Sequence, residues 1–383
     1  MDISLQELQH WCDLHREEHI ALLKELASIP APSHQEEQRA TFIRDWLLTQ
    51  GASEVLVDQA NNVLLPFGCD CEQPITIYAA HTDVVFSDTT PLPIREEDGK
   101  LIGPGVGDDT ANVVALMLCA KYLLSHALVP KEPVLFVFDS GEEGLGNLKG
   151  IRQVMADYSG RIKEFVSFDL TWNTIVTRAV GSERWRVRAI TQGGHSYNAF
   201  GVPNAIAHLA QLITQLYQQP LPHQPDQKTT YNVGTIQGGT SINTIAAQAE
   251  MTYEYRSDDR DCLAQMRQQF HILVENSNTS QVHFEVELLG ERPCGGEVDP
   301  QALEQLLTRC SQAVKLVTGT TPAPCSLSTD ANLPLSLGVP ATTVGLYQGA
   351  GEHTREEYVL LDSLSPGLAI ALSLLLPSFD GPT

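Results

Sequence analysis

Apolar and polar positions follow two different rhythms along this chain. In the first, compact apolar runs alternate with longer amphipathic stretches. Ile75-Thr76-Ile77-Tyr78-Ala79-Ala80 is apolar on both alternating faces and predicts a buried strand. Val134–Phe138 and Phe165–Phe168 predict two more, with shorter strands at 55–57 and 63–65. Two Ser-x-x-Glu patterns, Ser4 with Glu7 and Ser33 with Glu36, predict capped helix starts. The second of these helices closes at Gly51, a residue suited to the position just past a helix end. Another helix is predicted from Thr110 to about Leu124. Strands alternating with helices in this way indicate an α/β fold with a mainly parallel sheet.

From about Arg184 the second rhythm begins. The pattern predicts strand 184–191, helix 203–218, strands 230–236 and 247–256, helix 259–275 and strand 281–289. That order, β-α-β-β-α-β, is the ferredoxin-like arrangement. The first rhythm then resumes with helix 300–317, strand 340–346 and a last helix near 362–376. The expected organisation is a discontinuous α/β domain, residues 1–181 and 293–383, interrupted by a small domain at 182–292.

Composition narrows the function classes. The chain of 383 residues carries 47 acidic against 24 basic side chains, a formal charge of -23. Nucleic acid and anionic membranes are recognised through Lys and Arg, so neither is an expected partner. The eight cysteines are scattered without a paired spacing, which fits reduced thiols. The opening Met1-Asp2-Ile3-Ser4 leads into a charged amphipathic pattern unlike a signal peptide. The apolar run Leu368–Leu376 falls short of the roughly 20 residues that span a bilayer. The expectation is a cytoplasmic protein.

Candidate chemistry gathers where the predicted strands end. His81-Thr82-Asp83 follows the first buried strand, and ligands in open α/β sheets sit beyond the carboxyl ends of strands. Asp108-Asp109 ends a glycine-rich turn, Gly103-x-Gly105-x-Gly107, just before a helix. The turn resembles a phosphate loop, but two carboxylates stand where a phosphate would lie and no Lys follows. Glu142-Glu143 leaves the strand 134–138, Asp169 ends the strand 165–168, and His353 lies in a glycine-rich loop after 340–346. Singly, each has a plain structural explanation: a capped strand end, an N-cap aspartate, a solvated acidic turn. Together they place two imidazoles and several carboxylates at one sheet edge. Mixed N/O ligation suits zinc, with cobalt or manganese as alternatives, and paired cations about 3.5–4 Å apart are a known hydrolytic device.

At these residues the sequence resembles the family-20 zinc metallopeptidases, a group including peptidase T, the glutamate carboxypeptidases, the aminoacylases and succinyl-diaminopimelate desuccinylase. The matching pieces are Ala80-His81-Thr82-Asp83-Val84-Val85, Gly103 to Asp109, Gly141-Glu142-Glu143-Gly144, Asp169, Gly193-Gly194-His195-Ser196 and His353, in family order and across nearly the whole chain. The resemblance implies a zinc-exopeptidase-like catalytic domain with an inserted lid and dimerisation domain. It further implies two metal ions bridged by Asp108, with His81 and Asp169 completing one site and Glu143 and His353 the other. Glu142 would be the general base and Asp83 would orient His81. The Asp108–Asp109 peptide bond is typically cis in such enzymes.

In the inserted domain the resemblance makes His195 an oxyanion donor reaching a partner subunit's site, with Asn243 and Arg256 holding a substrate carboxylate. For Arg256 a surface ion pair is an equal alternative. The chain departs from the family pattern at Thr110, where many relatives carry Lys, at Ala111 in place of Gly, and at Phe86 in place of Pro. The segments Ser328–Ala331 and His353–Val359 look most like peptidase T. The expected function is a homodimeric di-zinc exopeptidase acting on small peptides. The alternatives are an N-acyl amino-acid deacylase or other amidohydrolase with the same chemistry, and, further off, a non-catalytic metal-dependent binding protein.

Overall fold

A computed structural model describes residues 4–381. The chain divides into two compact units, Val180–Gly295 forming the smaller and the flanking segments, up to Ala179 and from Gly296, the larger.

The larger unit is built on an eight-stranded sheet. Its strands lie in the order Leu56–Val57, Val63–Phe67, Val134–Asp139, Ile75–His81, Ile162–Phe168, Ala341–Val344, Thr174–Ala179 and Ala323–Leu327. The four strands from Val134–Asp139 to Ala341–Val344 run parallel; Val63–Phe67 attaches antiparallel to them, and Leu56–Val57 pairs antiparallel with Val63–Phe67. Every residue of Ile75–His81 is buried, because helices cover both faces. Tyr78, Ala80, Phe136 and Phe138 pack towards Thr110–Ser125 and Leu364–Leu375. Ile75, Ile77, Ala79 and Val137 pack on the opposite face with Ile151 and Val154 of the helix Lys149–Asp157. The parallel strands therefore end together, with His81 directly beside Asp139.

The smaller unit has the β-α-β-β-α-β order that the sequence predicts. Its four antiparallel strands lie in the order Thr229–Gly238, Gln248–Ser257, Gly181–Ile190, His283–Arg292. Val187, Met251 and Tyr253 pack with Leu209 and Leu212 of the helix Ala205–Gln218 and with Phe270 of the helix Arg260–Ser277. Asn204 caps the first helix through the N–H groups of Ile206 and Ala207, and Asp259 caps the second through Cys262.

Some elements differ from expectation. Ser4 and Glu7 do form a reciprocal capping box, but Ser33 and Glu36 do not. The third helix starts at Glu37 with no side-chain cap, and Ser33 is engaged elsewhere. The strands Thr174–Ala179 and Ala323–Leu327 were not anticipated. The latter is an edge strand with no fully buried residue, so it carries no apolar run to read. The terminal apolar stretch is longer than it looks: Leu361–Ser378 is 18 residues, enough by length and composition to cross a membrane. In this structure its central helix Leu364–Leu375 packs in the core of the larger unit. All eight cysteines are free thiols.

Candidate metal centre

His81 ends its strand fully buried, and its ring is held from two sides. Nδ1 lies 3.1 Å from the carbonyl oxygen of Asp83 and 3.6 Å from the Asp83 carboxylate. Nε2 faces Asp108, 3.1 Å from Oδ1. The main-chain N–H of His81 donates to Asp109 Oδ2 at 3.0 Å, while Asn112 Nδ2 donates to the other oxygen at 2.6 Å. Asp109 is thus a brace between the strand end and the helix Thr110–Ser125.

Asp108 is reached through the glycine turn. Gly105 has a φ of 67°, which favours glycine, and a Cβ on Gly107 would lie 2.6 Å from the Tyr347 hydroxyl. The Asp108–Asp109 bond is cis. The Asp108 carboxylate presents Oδ1 to His81 Nε2 and Oδ2 to His353 Nε2, the latter at 3.2 Å. His353 Nε2 also lies 3.1 Å from Glu143 Oε1.

The loop carrying Glu142 and Glu143 is fastened by Asp83. Asp83 Oδ1 accepts the N–H of Glu142 at 2.9 Å and Oδ2 that of Glu143 at 3.0 Å. Ser33 donates to Oδ2 at 2.5 Å, with the Glu143 carbonyl oxygen 3.1 Å away. Sequence reasoning took Ser33 for a helix cap and missed this role. Arg39 is a second unanticipated brace: fully buried, it donates to the carbonyl oxygens of Ile29 and Thr82 at 2.8 and 2.9 Å. Glu357, buried as well, accepts three N–H groups of the glycine turn.

Two groups of potential ligands share Asp108. His81, Asp108 and Asp169 have ligand atoms within 4.8 Å of one another, as do Asp108, Glu143 and His353. His81, Glu142 and Glu143 also meet this limit, which puts Glu142 beside both. Burial drives Glu143 up to about 7, and repulsion from Asp108 and Glu142 adds to it. Burial, then Asp108, raises Asp169 well above the carboxylate range. Conversely, hydrogen bonds to Asp108 and Glu143 hold His353 up at about 11. Burial leads for the two acids and hydrogen bonding to carboxylates for the imidazole, and the crowding of acids around Asp108 pushes all three the same way.

His195, Asn243 and Arg256 lie in the smaller unit. His195 is exposed, and its Nδ1 accepts the N–H groups of Tyr197 and Asn198 at 3.2 and 3.4 Å, which leaves the proton on Nε2. Its segment is joined to that of Asn243 by a short antiparallel pairing, His195 with Thr244, and by the bond from Ser196 N to Asn243 O at 2.9 Å. Arg256 pairs with Glu254, two residues back on its own strand, at 3.0 Å.

The family model described as Peptidase family M20/M25/M40 matches residues 77–376. Succinyl-diaminopimelate desuccinylase of Delftia acidovorans is 21% identical over 283 residues, covering 67% of this chain and 72% of that protein. A tripeptidase from Staphylococcus aureus has a similar structure, with TM-score 0.75 and 19% identity over 94% of this chain and 97% of that one. A dinuclear metal-binding peptidase from Bacillus subtilis superposes with TM-score 0.62 and 18% identity, covering 96% of this chain and 99% of that one.

Proposed function

The chain belongs to peptidase family M20/M25/M40 and is a metal-dependent hydrolase, and from that premise we propose that it is an exopeptidase cleaving amide bonds of small peptides with two divalent cations, zinc foremost. One observation carries the reading: the two oxygens of Asp108 face two histidines, and each histidine has a further carboxylate beside it. The donor set fits the cations. Imidazole nitrogens and carboxylate oxygens are zinc ligands, and two divalent charges offset the excess of buried carboxylates.

His81 and Asp169 would hold one cation, Glu143 and His353 the other, and Asp108 both. When bound, such a pair supplies a Lewis acid for the scissile carbonyl and acidifies water. The chain's own groups do the rest. The Glu142 carboxylate takes a proton from the attacking water as the carbon–oxygen bond forms, and returns it to the nitrogen as the carbon–nitrogen bond breaks. Asp83 holds the N–H groups of Glu142 and Glu143, which keeps base and ligand in fixed relation. His195, as an Nε2–H donor, suits a developing oxyanion. Asn243 and Arg256 are assigned to a substrate carboxylate by resemblance, Arg256 after releasing Glu254. The inserted unit is assigned as lid and dimer contact on the same ground; the cytoplasm is assigned as the protein's compartment from its scattered, unpaired cysteines.

A second reading, hydrolysis of N-acyl amino acids, is favoured by the likeness to a desuccinylase. Zinc-loaded protein tested on di- and tripeptides against N-acetyl and N-succinyl amino acids separates the two. Faster turnover of peptides supports the first reading. Turnover of acyl amino acids alone overturns it in favour of the second.

A further inference from the structure

The glycine turn that resembles a phosphate loop already holds a pair of acceptor oxygens, and they belong to a carboxyl group of this chain. Glu357 Oε1 accepts the N–H groups of Gly107 and Asp108, both at 2.7 Å, and Oε2 accepts that of Gly105 at 3.0 Å. The N–H of Gly103 donates to the carbonyl oxygen of the same glutamate at 2.9 Å. Successive main-chain N–H groups closing on one anion form a nest. Glu357 is 1% exposed, so water does not compete for these bonds.

The location gives the nest a consequence. Glu357 lies four residues after His353, and one of its three donors is the N–H of Asp108 itself. A single side chain therefore ties the segment bearing His353 to the segment bearing Asp108. The two meet again at the site, His353 Nε2 standing 3.2 Å from Asp108 Oδ2.

We propose that Glu357 is a positioning residue for the metal centre: its carboxylate fixes the main chain at Asp108 so that the two Asp108 oxygens face His81 and His353. The inference rests on the two-cation reading above. It separates Glu357 from its neighbour Glu356, which is exposed and paired with Arg95.

The test is zinc binding to the metal-stripped full-length protein, by calorimetric titration in competition with a chelator, with thermal unfolding of the metal-free form alongside. Glu357→Gln keeps the size of the side chain but turns an NH2 towards an N–H donor. It is expected to fold, to unfold within a few degrees of wild type, and to bind at least one zinc ion about 10- to 100-fold more weakly, the usual effect of losing a group that orients a ligand. Glu356→Gln is expected to bind as wild type does. A folded Glu357→Gln protein with wild-type zinc affinity overturns the proposal, and so does a lower melting temperature with unchanged affinity, since Glu357 would then only brace the fold. Should Glu357→Gln not fold, Glu357→Asp, which keeps the charge but shortens its reach, is read by the same criteria; failure of both to fold also assigns Glu357 to the fold alone and overturns the proposal. Wild-type protein that takes up no zinc, cobalt or manganese removes the two-cation reading itself, an outcome distinct from all of these.

Discussion

Two sheets in this molecule collect charged side chains, and they treat them in opposite ways. On the strands Gly181–Ile190, Gln248–Ser257 and His283–Arg292, Arg186 and Arg188 stand among acids. Arg188 pairs with Glu250 at 2.7 Å and Arg186 with Glu287 at 2.7 Å, across neighbouring strands and half open to solvent. Both arginines have a negative charge within reach. At the ends of Ile75–His81 and its parallel neighbours, three acids, Asp108, Glu143 and Asp169, are brought together with two imidazoles, His81 beside Asp108 and His353 between Asp108 and Glu143. Balanced charge in the first place is what an ordinary surface needs. Unbalanced buried charge in the second is costly unless a ligand offsets it, which marks it as a site.

Removing the shared carboxylate tests that contrast most severely. Asp108→Ala is expected to lose both metal ions and all measurable hydrolysis; elemental analysis beside an amide-hydrolysis assay checks it, and a mutant that retains two ions sinks the bridging role. Next in size comes the base. Glu142→Ala is expected to keep both metals while hydrolysis falls by about 10²–10⁴-fold, the range for a lost general acid–base. Near-normal turnover with metals in place would reassign the proton transfer to another group.

Much of this centre was legible in the sequence because its residues sit at the ends of apolar runs. Ile75–Ala80 announces a buried strand, and a strand buried on both faces has its chemistry only at its end, where His81 stands. The inserted domain was legible through its order of elements alone. What supports the centre was not. Ser33 reads as a cap because Ser-x-x-Glu is a local signal, whereas its partner Asp83 is 50 positions away. Glu357 looks like one more exposed acid of the pair Glu356-Glu357, and only the folded chain carries it to the glycine turn 250 residues earlier. Asp109 reads as an N-cap, yet its carboxylate holds His81 and Asn112 and makes no cap bond.

Ser33 offers a finer probe of the buried side of the comparison. Ser33→Ala removes a donor from Asp83 while leaving the two N–H bonds that Asp83 accepts from Glu142 and Glu143. Hydrolysis is expected to fall about 10-fold, near the low end for groups that orient ligands, with both metals still bound. A wild-type rate would mean that the two N–H bonds suffice to hold the loop.

The smallest effect belongs to the balanced sheet. Arg188 and Glu250 are 43% and 24% exposed, so water already solvates both partners and holding two long side chains together costs entropy. A double-mutant cycle with Arg188→Ala and Glu250→Ala is expected to give a coupling of about 0.2–1 kcal/mol by chemical denaturation. The denaturant for this must be urea, since guanidinium chloride would screen the pair. Raising the salt to ~1 M shortens the screening length to about 3 Å and should shrink the coupling further, with metal content and hydrolysis untouched. A coupling of several kcal/mol, or one that alters hydrolysis, would show that the ladder belongs to the working parts of the enzyme and that balanced charge does not by itself identify a passive surface.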